Sequence, residues 1–261
     1  MNDKMMKQYD VVIIGAGVTG CAAARYLSRY KVHAAVIERA EDVCAAGASK
    51  ANSAIVHAGF DAPTGSLMAK LNVEGSRVMP RLAKELDFSY MNNGSLVVCM
   101  DEADYAKLER LYQNGLKNGV EGLEIVRGER LREIEPAVRR EAYAALWAPT
   151  GAIICPFGLT IALAENAAAN GLAERIAPML GDVSRIAGRK YDFIAANINR
   201  NILTMDMPAY AEALDTGGDL LMSGFLEEDV PVIEARARAC GLEPVEVRRR
   251  DGWAMVHVKK A

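Results

Sequence analysis

Gly15, Gly17 and Gly20, in the run GAGVTG, stand at the GxGxxG spacing with which a backbone can wrap paired phosphates. The first glycine permits a tight turn, the second removes a side chain that would block a phosphate, and the third lets a helix lie close on the preceding strand. Backbone N–H groups at the helix start then face negative charge, aided by the helix dipole. Glu38 is the next candidate, because a carboxylate closing the second strand can accept hydrogen bonds from the hydroxyls of an adenosine ribose. An acidic group there disfavours a ribose phosphate, so NADP fits poorly. The motif alone serves FAD and NAD equally, and glycines that only permit a turn are the plainer reading of the same run.

Such a bend needs a strand before it and a helix after it. Residues 9–14 (YDVVII) are rich in β-branched types with both faces apolar, as in a central parallel strand. Residues 18–30 then take a helical rhythm, with Cys21, Ala22, Ala24 and Leu27 on one side and Arg25, Ser28 and Arg29 on the other. Residues 33–37 form a second strand ending at Glu38. Further on, the pattern predicts a helix over 67–86, a strand over 94–100, a helix over 101–119 behind an acidic cap, short elements over 126–136 and 146–156, and an alanine-rich helix over 160–170 that stops at Gly171. Beyond it come a strand over 191–198, a helix over 203–214, a strand over 218–225, a helix over 227–240, and strands over 244–249 and 253–259 joined by a tight turn at Arg250-Asp251-Gly252.

With 261 residues, 51% hydrophobic and 25% charged, the composition is that of a globular protein of one large or two small domains. The balance of 31 basic against 34 acidic residues excludes the strong positive field that non-specific nucleic-acid binding needs. The run Arg248-Arg249-Arg250 therefore reads as a solvated strand end. Five cysteines, odd in number and without a CxxC pair, argue against a disulfide framework or zinc site, so no metal is expected and a reducing cytoplasm is the expected location. The apolar run 11–24 behind Lys4 and Lys7 could imitate a signal peptide, but its three glycines and the preceding Tyr9-Asp10 speak against that. No run reaches the roughly 18 apolar residues of a membrane span, so no integral membrane segment is expected. Met5 and Met6 are assigned to a disordered terminus, and Met205 and Met207 to helix packing.

GASKANSAIVHAGF (47–60), NGSLVV (93–98) and GAIICPFGLTIALAENAAANG (151–171) resemble the FAD-dependent glycerol-3-phosphate dehydrogenase and 2-hydroxyglutarate oxidase branch of the amino-acid-oxidase-like flavoproteins. The resemblance covers about residues 8–171. It implies FAD held along Gly15, Gly17, Gly20 and Glu38, with Ser49, Asn52 and Ser53 close to the pyrophosphate and flavin. It also implies that His57 lies near the isoalloxazine and a small-molecule substrate, where an imidazole can take a hydroxyl proton. A histidine that only bonds the loop backbone is the alternative.

From about residue 165 the sequence resembles another family. GDVSRI (181–186), YDFIAANINRNIL (191–203), GGDLLMSGFLEEDV (217–230) and RDGWAMVHVKK (250–260) are similar to the C-terminal half of the methyltransferases that modify large-subunit ribosomal protein eleven. That resemblance implies S-adenosylmethionine as cofactor, Asp182 near its adenine, Asn197 positioning the amine to be methylated, and the ribosomal protein as partner. For Asn197 and Asn201 the plainer reading is turn formation and helix capping.

The expected fold class is α/β: a Rossmann-like parallel sheet with flanking helices and a C-terminal antiparallel hairpin, a composite of two truncated Rossmann-type domains. The expected segments are 1–171, from an FAD-binding oxidoreductase, and 172–261, from a methyltransferase. Both families share right-handed α/β connections, so the segments can build one sheet; two fragments with unfinished cores are the other outcome. The expected activity is oxidation of a small hydroxy acid or polyol phosphate, weak or absent because each family's pattern is incomplete. Ribosomal-protein methylation and a non-catalytic chimeric chain are the alternatives.

Overall fold

The computed structural model describes residues 9–172 and 176–261. Lys4, Met5, Met6 and Lys7 lie outside them. In chain order the strands and helices are β1 (Val11–Ile14), α1 (Val18–Leu27), β2 (Ala34–Glu38), β3 (Ile55–Val56), α2 (Leu67–Leu86), β4 (Tyr90–Met91), β5 (Ser95–Cys99), α3 (Tyr105–Asn118), β6 (Glu124–Val126), α4 (Gly128–Ile134), β7 (Ala144–Ala148), β8 (Ala152–Ile154), α5 (Pro156–Ala167), β9 (Ile176–Leu180), β10 (Tyr191–Asn197), α6 (Arg200–Ala213), β11 (Leu214–Leu226), α7 (Val230–Ala239), β12 (Leu242–Arg250) and β13 (Trp253–Lys260). They form two compact units, one made of the chain up to Asn52 together with Pro156–Ala261, the other of Ser53–Cys155. The units therefore divide the chain at places other than the segment boundary expected at residue 171.

The first unit is built on a seven-stranded sheet of order β12-β13-β11-β10-β1-β2-β9. β1 pairs in parallel with β2 on one side and β10 on the other, in registers Ile14↔Ile37 and Ile14↔Ala196. β9, β2, β1, β10 and β11 run parallel, and β13 and β12 close the other edge as an antiparallel hairpin. Strands from both sequence segments thus share one ladder, with joins at β1–β10 and at β2–β9. Their alternating side chains share one core as well: Val12, Ala35 and Ile37 pack with Ile194, Ala196, Leu220, Met222, Val256 and Val258. α6 and α7 cover that face through Leu203, Met207 and Ile233. On the opposite face Ile13 meets α1, and α1 packs on α5, where Arg25 Nε donates to Asn166 Oδ1 at 3.0 Å.

Several expectations are corrected here. β9 was not foreseen. The alanine-rich helix starts at Pro156, and after Ala167 its last turn widens over Ala168–Leu172. Met205 and Met207 do not both pack: two positions apart on a helix they point nearly opposite ways, and Met205 is 68% exposed while Met207 is fully buried. The cap of α6 is Asn199, whose Oδ1 accepts from the Ile202 N–H at 3.2 Å, rather than Asn197 or Asn201. Arg248, Arg249 and Arg250 are exposed on β12, and Arg248 bonds Glu246 at 2.7 Å.

The second unit holds two three-stranded sheets, β3-β8-β4 and β5-β7-β6, with α2, α3 and α4. Ser66 caps α2 by accepting from the Ala69 N–H at 3.0 Å, and Asp87 ends it in the left-handed region. Asn114 and Asn118 on α3 donate to the carbonyls of Gly59, Phe60 and Ala62, so this helix holds the segment that follows His57. The Arg127 guanidinium stacks between the rings of Tyr105 and Tyr143, 4.5 and 4.6 Å from their centroids.

Candidate functional site

In the first unit the strand order reverses between β1 and β10, the place at which open α/β sheets generally take a ligand beyond the carboxyl ends of their strands. The 15–20 bend sits at that edge, with Glu38 at the end of β2 and Asn197 at the end of β10. Gly15 has φ +98°, a conformation that a side chain would strain, and a Cβ built on it meets nothing within 4 Å. A Cβ on Gly20 would lie 1.9 Å from the Gly15 carbonyl oxygen, so here the helix touches the turn directly. Gly17 is the N-cap of α1, and a Cβ there would sit 3.0 Å from Ser49 Oγ.

Side chains from neighbouring segments fix the bend. Glu38 Oε2 accepts from the Ala16 N–H at 2.7 Å and Oε1 from the Ala40 N–H at 2.8 Å, which leaves each oxygen further acceptor capacity for a hydroxyl. Ser49 Oγ accepts from the Val18 N–H at 2.9 Å, across the first turn of α1, a turn without acidic residues. Asn52 Nδ2 donates to the Ala48 and Ser49 carbonyls and so holds the loop that carries Ser49. The role of Ala16 was not anticipated: its peptide also accepts from the Cys44 N–H at 3.1 Å and the Cys21 thiol at 3.4 Å. An alanine in a glycine motif carries no side-chain signal from which that clamp could be read.

Asp182 follows β9, and its Oδ1 accepts from the Ser184 N–H at 2.9 Å; the hydrogen bonds from Ser184 hold its carboxyl below the usual range. Asn197 lies opposite Ser223 on β11, and its Oδ1 approaches so near Gly224 that a Cβ there would stand 2.7 Å away. The same unit therefore gathers Gly15, Gly17, Gly20, Glu38, Ser49, Asn52, Asp182 and Asn197. Ser53 and His57 belong to the second unit. Both are exposed, with His57 Nδ1 3.7 Å from Asp61 Oδ2. Among the described residues no cluster of three or more His, Cys, Asp or Glu could hold a metal, and no helix is long and apolar enough to cross a membrane.

A sequence profile described as FAD dependent oxidoreductase matches residues 10–186. The chain belongs to this family of FAD-dependent oxidoreductases. A second profile, ribosomal protein L11 methyltransferase, matches residues 156–261, so the two overlap over α5 and β9 and the fold is a composite. Glycerol 3-phosphate dehydrogenase of Caloramator mitchellensis is 46% identical over 164 residues, 63% of this chain and 34% of that protein. Ribosomal protein L11 methyltransferase of Phocaeicola vulgatus is 43% identical over 93 residues, 35% of this chain and 33% of that one. The chain thus spans about a third of the length of each. L-alpha-glycerophosphate oxidase of Mycoplasma pneumoniae, solved with FAD bound, superposes with a TM-score of 0.65 at 21% identity over 97% of this chain and 71% of its own. The FAD-dependent oxidoreductase fold is therefore reproduced even where the sequence is methyltransferase-like.

Within this family member the thiol below the bend is inert at neutral pH. Burial, then Cys44 and Glu38, push the Cys21 thiol from 9.0 up to about 11. The folded protein holds this proton more tightly than the unfolded chain does. The corresponding stability is complete below pH 9 and is lost as the pH rises toward 11, about 3 kcal/mol in all. Urea midpoints measured across that range should fall with pH in the wild type and fall less in Cys21→Ala. Equal slopes for the two proteins would refute the assignment.

Proposed function

We propose that the 15–20 bend receives the ADP part of FAD. We further propose that the chain acts as an FAD-dependent oxidoreductase of the glycerol-3-phosphate dehydrogenase type on a small hydroxy acid or polyol phosphate, with low or negligible turnover. The supporting observation is the left-handed Gly15 backed directly by Gly20 at the start of a helix, with the Glu38 carboxylate beside it. These residues fit a dinucleotide: open space over Gly15 admits phosphate oxygens, the first turn of α1 offers N–H groups and no competing acid, and Glu38 retains acceptor capacity for ribose hydroxyls.

Bound FAD would supply the hydride acceptor for oxidation of the substrate's hydroxyl-bearing carbon. The chain's own residues bind and orient: Ser49, Asn52 and Ser53 beside the pyrophosphate and flavin, and His57 taking the hydroxyl proton. The odd number of cysteines, without a CxxC pair, supports a reducing cytoplasm as its location. In this reading residues 1–171 descend from the oxidoreductase and 172–261 from the methyltransferase.

Calorimetric titration of the purified chain with ADP is expected to show binding, which Glu38→Ala weakens about ten- to a hundredfold as hydrogen bonds to a charged acceptor are lost. An unchanged affinity in a variant of unaltered thermal midpoint rejects the site, and tightly held stoichiometric flavin in the visible spectrum rejects the low-activity part. A second reading, S-adenosylmethionine binding with a ribosomal protein as the methylated partner, draws support from Asp182 just after β9 and Asn197 at the end of β10, two strands of the same sheet. Titration with S-adenosylmethionine discriminates between the two.

A further inference from the structure

The helix α2 carries two apolar faces where a surface helix needs one. Ala69, Val73, Ser76 and Ala83 are buried. Beside them Met68, Leu71, Gly75, Val78 and Leu82 repeat at alternating steps of three and four, the rhythm of a coiled-coil seam. Met68, Leu71 and Val78 are 55%, 53% and 44% exposed, so this stripe faces solvent. Gly75 stands at its centre. A Cβ built there meets nothing within 4 Å, so no neighbour in this chain requires glycine, although glycine inside a helix is less favourable than alanine. A small residue mid-seam lets a second backbone come close.

The charges along the flank indicate which backbone. Lys70, Glu74, Arg81 and Glu85 follow one another beside the stripe. Laid against a reversed copy of itself, this series sets Lys70 opposite Glu85 and Glu74 opposite Arg81. A parallel copy brings like charges level. We propose that α2 pairs antiparallel with α2 of a second copy of this chain, about a two-fold axis between Arg77 and Val78, burying the stripe with Gly75 within a turn of the crossing. One patch meeting its own image is the geometry of a closed two-fold dimer.

Light scattering coupled to gel filtration, run on the full chain over a range of concentrations, tests this. The wild type is expected to show dimer mass, and Leu71→Glu to raise the dissociation constant at least tenfold while leaving the thermal midpoint in place. Glu74→Arg should weaken the dimer, and adding Arg81→Glu should restore it, a rescue that does not depend on the first variant folding well. A monomer at every concentration overturns the proposal, including one whose stripe proves to bind a different protein or a lipid vesicle. So does a dimer indifferent to Leu71→Glu, or a charge reversal without rescue.

Discussion

Gly20→Ala is expected to destabilise the protein by about 2–4 kcal/mol and to abolish ADP binding, the larger part of both effects arising from a single carbonyl. The new methyl would stand 1.9 Å from the Gly15 oxygen, a backbone atom that cannot rotate away as a side-chain end can. Relief requires α1 to lift from β1. That movement also strains the Ala16 peptide, which is bonded to Glu38 and Cys44, and the Val18 N–H bonded to Ser49. Thermal and urea unfolding of the variant, with ADP titration, checks the prediction. A Gly20→Ala protein of wild-type midpoint and wild-type affinity would show that the helix does not seat on the turn.

The second large effect is expected at Ile194, in the methyltransferase-like segment. This fully buried side chain sits on β10 opposite Val12 of β1, in the core shared by both segments. Ile194→Ala should cost about 2–5 kcal/mol through lost burial and the cavity left behind. Its diagnostic consequence lies elsewhere. If the two segments form one cooperative sheet, the variant unfolds in a single transition at a lower midpoint, and ADP binding at the bend disappears with it. Two independent fragments would instead give two transitions, with binding at the bend surviving the loss of the other half. Urea unfolding followed by both far-ultraviolet circular dichroism and ADP-dependent protection separates these outcomes.

How much of this could be read in advance depended on the range of the interactions concerned. The β1, α1 and β2 unit was legible because the glycines, the β-branched run and Glu38 are local signals. The helix α2 was legible over 67–86 from its apolar rhythm, although Pro80 lies inside it. β9 was hidden because Pro178 argues against a strand, yet β9 lies at the sheet edge, where a missing N–H is tolerated. β3 and β4, at two residues each, are too short to show a period. Asn197, Asn199 and Asn201 are chemically alike, and only the backbone turn decides that Asn199 makes the cap. The β1–β10 pairing joins residues about 180 positions apart. Composition allows such a ladder but does not specify it.

At the site, the glycines and Glu38 were visible as residue types, whereas the partners of Ala16 were not, because peptide groups leave no trace in the sequence. Ser49 and Asn52 were singled out through resemblance. Their hydrogen bonds show what they do here in structural terms, namely to tether the segment after Cys44 to the start of α1.

The bonds that Glu38, Cys44 and Ser49 make to the glycine turn tie it down from three separate segments of the chain. A turn held in this way has few conformations to choose from, so a ligand seated on it orders little further backbone. The conformational part of the entropic penalty for capture should accordingly be small.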